Sequence, residues 1–369
     1  MAARTTEVTI DRVDAAAYTV PTDFPEADGT LAWNATTLVV VDVSAGGRQG
    51  IGFTYASPST ARLIQDLLAD VVVGMDALAV TAAWEAMVYA IRNLGRPGIC
   101  SMAIAAVDAA LWDLKAKLLE LPLSKLLGEV RAAVPVYGSG GFTSYPLDRL
   151  REQLGAWVEE GIPRVKMKIG TRPEDDLARV RTARDAIGPD TELFVDANGA
   201  YDRKQALAFA AAFADLGVSW FEEPVTSDDL DGLRLLRDRA SAGIEIAAGE
   251  YGYDVHYFRR MLDAGAVDVL QADASRCAGI TEFLRVGALC RSHSMPLSAH
   301  TSPSLHVHAA CAVQALRHIE YFHDHVRIEQ MLFDGALRPT GGALHRDASR
   351  PGIGVEFKRQ DAERWRVAI

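Results

Sequence analysis

Apolar positions along this chain change their spacing twice, and each change marks a different kind of structure. Up to residue 55 the spacing is that of strands. Residues 5–20 are rich in β-branched side chains, and residues 36–43 read Thr-Thr-Leu-Val-Val-Val-Asp-Val. Gly46 and Gly47 then turn the chain into a third strand at 50–55, as in a hairpin. Between the first two strands, residues 21–34 hold Pro, Gly and Asp with Phe24, Glu26 and Trp33, which predicts a long loop able to serve as a lid. Helical spacing follows over 59–73, 81–93 and 101–119. The last repeats Ile104, Val107, Leu111, Leu114 and Leu118 on one face. Strands followed by helices predict an α+β unit over residues 1–130.

From residue 134 the chain alternates strand and helix. Strands are expected at 134–137, 165–168, 193–196, 220–223, 245–249, 267–271, 297–300 and 319–322, with helices such as 173–187, 203–216, 228–239 and 280–292 between them. Eight such units fit a (β/α)8 barrel over residues 131–331 better than an open sheet. The eighth is weakest, because residues 321–331 lack a clear helical period. Residues 332–369, with a short strand pattern at 354–358, are expected to return to the capping unit and complete it.

The second barrel strand carries the first chemical signal. Val165, Met167 and Ile169 alternate with Lys166 and Lys168, so period-2 geometry puts both ammonium groups on one face. In a parallel sheet covered by helices that face is the interior. Two buried cations require anions opposite them. Later strands end in such groups: Asp196 with Asn198, Glu222 with Glu223, Glu250, Asp273, His300 and Glu320. Each alone is common in turns and strand ends. Together, at the strand-end rim where barrels place their chemistry, they mark an active site.

Composition narrows the options. With 369 residues, 49% of them hydrophobic, the chain can bury a large core. A net charge of −11, with both signs interspersed, argues against nucleic acid and supplies no membrane-directed patch. The four cysteines fall at no metal-ligand spacing and suggest free thiols in a reducing compartment. Residues 1–6 lack an apolar signal core and no apolar run approaches spanning length, so a cytoplasmic location is expected.

Asp196, Glu222 and Glu250 form an all-oxygen donor set suited to Mg²⁺ rather than zinc. A dication on a substrate carboxylate stabilises the enediolate formed when the α-proton leaves. Lys168 can take that proton if Lys166 and burial depress its pKa. His300 lies across the barrel and can act on the opposite face of the substrate, with Asp273 orienting its imidazole.

These residues make the chain similar to the enolase superfamily, specifically the mandelate racemase subgroup with its muconate-lactonising relatives. Lys166-Met-Lys168 matches the subgroup's Lys-x-Lys, and Asp196, Glu222 and Glu250 match its metal ligands. Asp273 and His300 match its Asp–His dyad, Glu320 its strand-eight glutamate, and the Ser101–Asp113 stretch its cap-to-barrel helix. The resemblance implies that Lys168 is one base, assisted by Lys166 near the substrate carboxylate. It implies that His300 is the other base, or the acid that expels a β-hydroxyl, and that Glu320 hydrogen-bonds the substrate carboxylate. Asn198 and Glu223 stand beside the ligands as candidates to orient them. One departure is Arg276-Cys-Ala278-Gly279, where relatives often carry two glycines.

The resemblance implies an acid-sugar substrate and a homo-oligomer, with dehydration to a 2-keto-3-deoxy acid ahead of racemisation or epimerisation. A Schiff-base aldolase and a catalytically silent scaffold are the competing classes. Phe24, Trp33, Tyr55 and Ser139 are expected to shape the substrate pocket.

Overall fold

The computed structural model describes residues 7–369. The start of the first expected strand at residues 5 and 6, and the polar N-terminus over residues 1–6, lie outside the described residues. The chain opens with β1 (Ile10–Ala27), β2 (Ala32–Ala45) and β3 (Arg48–Tyr55), an antiparallel meander. The valine run of β2 is apolar on both faces because both are buried. Val39, Val41 and Val43 pack with the helices of the cap, while Leu38 and Val40 join the core shared with the barrel.

The segment expected as a loop at 21–34 is mostly strand. β1 runs on to Ala27 and β2 begins at Ala32, leaving only a tight turn between them. Pro21 and Pro25 cannot donate to the ladder, and the pairing register slips between Pro21 and Glu26. That irregular stretch reads as loop from composition alone. Asp28 closes the turn by accepting from the backbone amides of Thr30 and Leu31, both at 2.7 Å.

The helix Ile99–Leu118 lies so close to β3 that a Cβ on Gly50 would sit 2.2 Å from the Ala110 carbonyl oxygen, which explains the glycine. Two buried acids of this helix fasten the parts of the molecule together. Asp113 accepts from the amides of Ile51 in the cap and Ile353 in the tail, each at 2.7 Å. Asp108 accepts from the Thr281 amide and hydroxyl in the barrel.

The barrel consists of β4 (Ala133–Gly140), β5 (Arg164–Lys168), β6 (Glu192–Asp196), β7 (Val218–Glu222), β8 (Glu245–Ala248), β9 (Val269–Ala272), β10 (Leu297–Ala299) and β11 (Leu316–Phe322). All eight are parallel, and β11 closes on β4. Tyr137, Phe194, Trp220, Ala247 and Val269 form an interior layer that walls off the barrel below the site. The eighth unit does have its helix, His323–Leu332. Its inner face carries buried Asp324, His325 and Glu329 among the apolar residues, which hides the helical period in the sequence.

The tail adds three strand pairings. β12 (Phe333–Asp334) pairs with β14 (Glu356–Phe357), and β13 (Ala343–His345) runs antiparallel to β4. Of these strands only β15 (Arg366–Val367) pairs with the cap sheet, beside Ala17 and Tyr18 of β1. Among the described residues no helix is long and apolar enough to cross a membrane.

Candidate active site

Period-2 geometry on β5 sends Lys166 and Lys168 into the barrel, where Lys166 is fully buried and Lys168 is 5% exposed. Lys166 Nζ lies 2.5 Å from Glu222, 2.8 Å from Glu320 and 3.4 Å from Asp196. Lys168 Nζ lies 2.5 Å from Asp196 Oδ2. Asp196, Glu222 and Glu250 stand at or just beyond the ends of consecutive strands. One oxygen from each falls within 4.8 Å of the others, and all three residues are buried.

These donors fit a divalent cation on two grounds. Glu250 Oε2, Asn198 Oδ1 and Glu223 Oε1 are buried without a hydrogen-bond donor, a costly arrangement unless a cation or its water serves them. Charge is also out of balance. Six buried carboxylates (Asp196, Glu222, Glu223, Glu250, Asp273, Glu320) face only Lys166, Lys168 and Arg276 as permanent cations. Burial first, and the neighbouring carboxylates with it, hold Glu222 and Glu223 well above the ordinary range.

The imidazole of His300 is held among three carboxylates. Its Nδ1 lies 2.8 Å from Asp273 Oδ2, and its Nε2 faces Glu250 Oε2 at 3.3 Å and Glu320 Oε2 at 3.6 Å. Burial opposes its charge, but Glu250, Glu320 and Asp273 outweigh burial and raise its pKa to about 9. Asp273 Oδ1 accepts from the Ser275 amide and hydroxyl. Behind them His306 accepts from the Ala274 amide through Nε2 and donates from Nδ1 to Ser302, which fixes the loop carrying Asp273.

Lys168 departs from the expectation of a lowered pKa. Burial and Lys166 do push it down, but Asp196, with Glu250 and Glu222, pushes harder, and the net shift is upward. Lys166 is likewise held well above its usual value, by Glu222 and Glu320 against burial. A Schiff-base aldolase needs a neutral amine and has no metal to draw Asp196 away from Lys168, so nothing in that class would release the clamped amine.

A cavity of about 410 Å³ between cap and barrel brings Lys168, Asn198, Glu250 and His300 to one surface. Trp33 and Tyr55 line it from the cap. Phe24 does not. It packs edge-on against Tyr145 at 5.4 Å, under the Arg149 guanidinium, because the slipped strand turns it toward the βα loop after β4. Ser139 is also outside the cavity, donating at 2.5 Å to Glu320 from behind.

Sequence reasoning missed the positioning role of His306 and the cavity residues Tyr251, Thr301 and His325. Arg276 was visible only as a departure, yet it enters the mouth 3.5 Å from Glu250 Oε1 and 3.7 Å from Asp273. Two residues on, Ala278 takes a φ of +63°, a conformation glycine adopts more readily. A second acidic group, Asp23 and Glu26 of β1 with His323, stands at the β1–β2 hairpin. Asp23 is already paired with His323 and Arg149.

Fold and site define a capped-barrel enzyme whose strand-end acids can grip a divalent cation. A family model described as Enolase C-terminal domain-like matches residues 149–362, and one described as Mandelate racemase / muconate lactonizing enzyme, N-terminal domain matches residues 14–128. The chain belongs to this mandelate racemase / muconate lactonizing enzyme family. It is 31% identical over 335 residues to L-talarate/galactarate dehydratase of Salmonella typhimurium, covering 89% of this chain and 82% of that one. A solved mandelate racemase/muconate lactonizing enzyme-like protein from Rubrobacter xylanophilus superposes with a TM-score of 0.96 at 56% identity, covering 97% of this chain and 100% of that one. A racemase from Streptomyces coelicolor, solved with bound magnesium, gives 0.91 at 30% identity with the same coverage.

Proposed function

We propose that this chain is a Mg²⁺-dependent acid-sugar dehydratase that converts its substrate to a 2-keto-3-deoxy acid. One observation carries the reading: Lys168 and His300 line one cavity together with Glu250, whose carboxylate stands beside those of Asp196 and Glu222. Asp196, Glu222 and Glu250 would hold Mg²⁺, which would supply positive charge against the substrate carboxylate, and Asp196, serving it, would hold the Lys168 proton less tightly. Lys168 Nζ, once neutral, takes the α-proton. His300 Nε2 gives its proton to the β-hydroxyl, which leaves as water as the C–O bond breaks, and the resulting enol tautomerises to the keto acid. Asp273 stabilises the imidazolium that makes this donation. Lys166 and Glu320, paired at 2.8 Å, hold the floor on which the carboxylate sits.

The dehydratase relative supports the choice of reaction, and the magnesium-bound racemase supports the choice of metal. The racemase also favours a second reading. With no β-hydroxyl to expel, the same two groups acting from opposite faces would invert Cα. A cytoplasmic homo-oligomer belongs to the same proposal, supported by four buried free cysteines and the family resemblance. Incubating the Mg²⁺-loaded protein with an acid-sugar library in D₂O tests the reading. Keto-acid formation is expected with at least one member. Deuterium uptake without keto acid would favour racemisation, and no uptake from any member would refute both.

A further inference from the structure

We propose that the site is built for a monocarboxylate sugar acid, an aldonate, and discriminates against the dicarboxylate aldarates. The inference rests on the acid-sugar reading and deepens it. Its basis is the uneven charge of the cavity's two walls. The barrel wall holds every Lys, Arg and His that lines the cavity among the described residues: Lys168, Arg276, His300 and His325. Lys168 and His300 flank the carboxylate trio. Arg276 is committed to Glu250 and Asp273 and rests on the Tyr251 ring at 5.5 Å. His325 is stacked on Tyr55 at 3.5 Å, and burial keeps it neutral. All the cationic charge is therefore gathered where the first carboxylate and the chemistry sit.

Among the described residues, the cap wall of the cavity carries no Lys, Arg or His. It presents Leu31 and Trp33, the hydroxyl residues Thr36, Thr37 and Tyr55, and one acid, Asp28. Arg149 and Arg327 reach the same hairpin but are paired with Asp23 and Asp324 and do not line the cavity. A substrate anchored on the barrel wall extends its far end toward this surface. A neutral terminal hydroxyl finds hydroxyl partners there. A second carboxylate would be desolvated without a counter-charge and repelled by Asp28, which costs binding in ground state and transition state alike.

The test measures α-proton exchange and turnover by the Mg²⁺-loaded enzyme on all stereoisomers of the five- and six-carbon aldonates and aldarates. The best aldonate should exceed the best aldarate in kcat/KM by at least about tenfold. An aldarate processed equally well or better would overturn the inference while leaving the acid-sugar reading intact. No exchange from either series would remove that reading and this inference with it. A second arm uses Thr36→Lys, which adds a cation to the cap wall. The ratio of aldarate to aldonate kcat/KM should rise at least about tenfold. An unchanged ratio in a folded variant would show that the far end does not meet this wall.

Discussion

Lys168 Nζ lies 2.5 Å from Asp196 Oδ2, so a proposed base and a proposed metal ligand share one charge. The pairing holds the ammonium protonated, and a dication on Asp196 must compete with it. Replacing the amine should separate the two roles. Lys168→Met should bind Mg²⁺ at least as tightly as the parent by calorimetry, while α-proton exchange falls about a thousandfold. Weaker metal binding in the variant would mean that the lysine supports the metal site rather than opposing it.

In the proposed reaction His300 donates through Nε2, and it is oriented through Nδ1 by the Asp273 contact at 2.8 Å. His300→Asn keeps an amide near that carboxylate but removes the proton donor. Turnover should drop by about 10³, and Lys168 should still exchange the α-proton of one configuration. Keto-acid formation at the parental rate would take His300 out of the reaction.

Much of this site was legible because barrel geometry turns strand order into spatial order. The alternation around Lys166 and Lys168, and acids at successive strand ends, needed only period 2 and the rim rule. The backbone of the turns was not legible. Asn198, Glu223, Ala278, Thr301 and Ser302 all take positive φ, between 38° and 63°, at a cost of about 1 kcal/mol or more each. Only Asn among them is a residue type that signals such a conformation. The lysine pKa was misjudged for a related reason. Sequence shows that two cations are neighbours, but only coordinates show Asp196 2.5 Å from Lys168 and Glu222 2.5 Å from Lys166. Phe24 went astray because one slipped register changes which way a strand residue faces.

The β1–β2 hairpin offers a pH test away from the proposed metal site. Glu26 is buried beside Asp324, and burial first, then that neighbour, raises its pKa to about 9. A carboxyl raised in the folded state contributes full stability below its unfolded value, near 4.5, and loses it as pH climbs toward 9. Glu26→Gln retains an acceptor for the Trp33 indole N–H, now 2.8 Å from Glu26 Oε2, and does not ionise. Thermal melts should show the variant's Tm gaining on the parent's between pH 5 and pH 8.5. A constant difference across that range would mean that Glu26 does not titrate there.

Glu250 tests the metal site because one of its oxygens is buried without a donor while His300 stands 3.3 Å away. Glu250→Gln preserves size but removes a charge from the trio. At a hundred times Kd, Mg²⁺ should stabilise the parent by about 2.7 kcal/mol. A variant that binds a hundredfold more weakly would gain only about 0.4 kcal/mol at the same concentration. Magnesium titration followed by Tm reads this directly, and it requires no substrate. Equal Tm shifts in parent and variant would place the cation elsewhere, and the excess of buried carboxylate around Asp196 and Glu222 would then need another counter-charge.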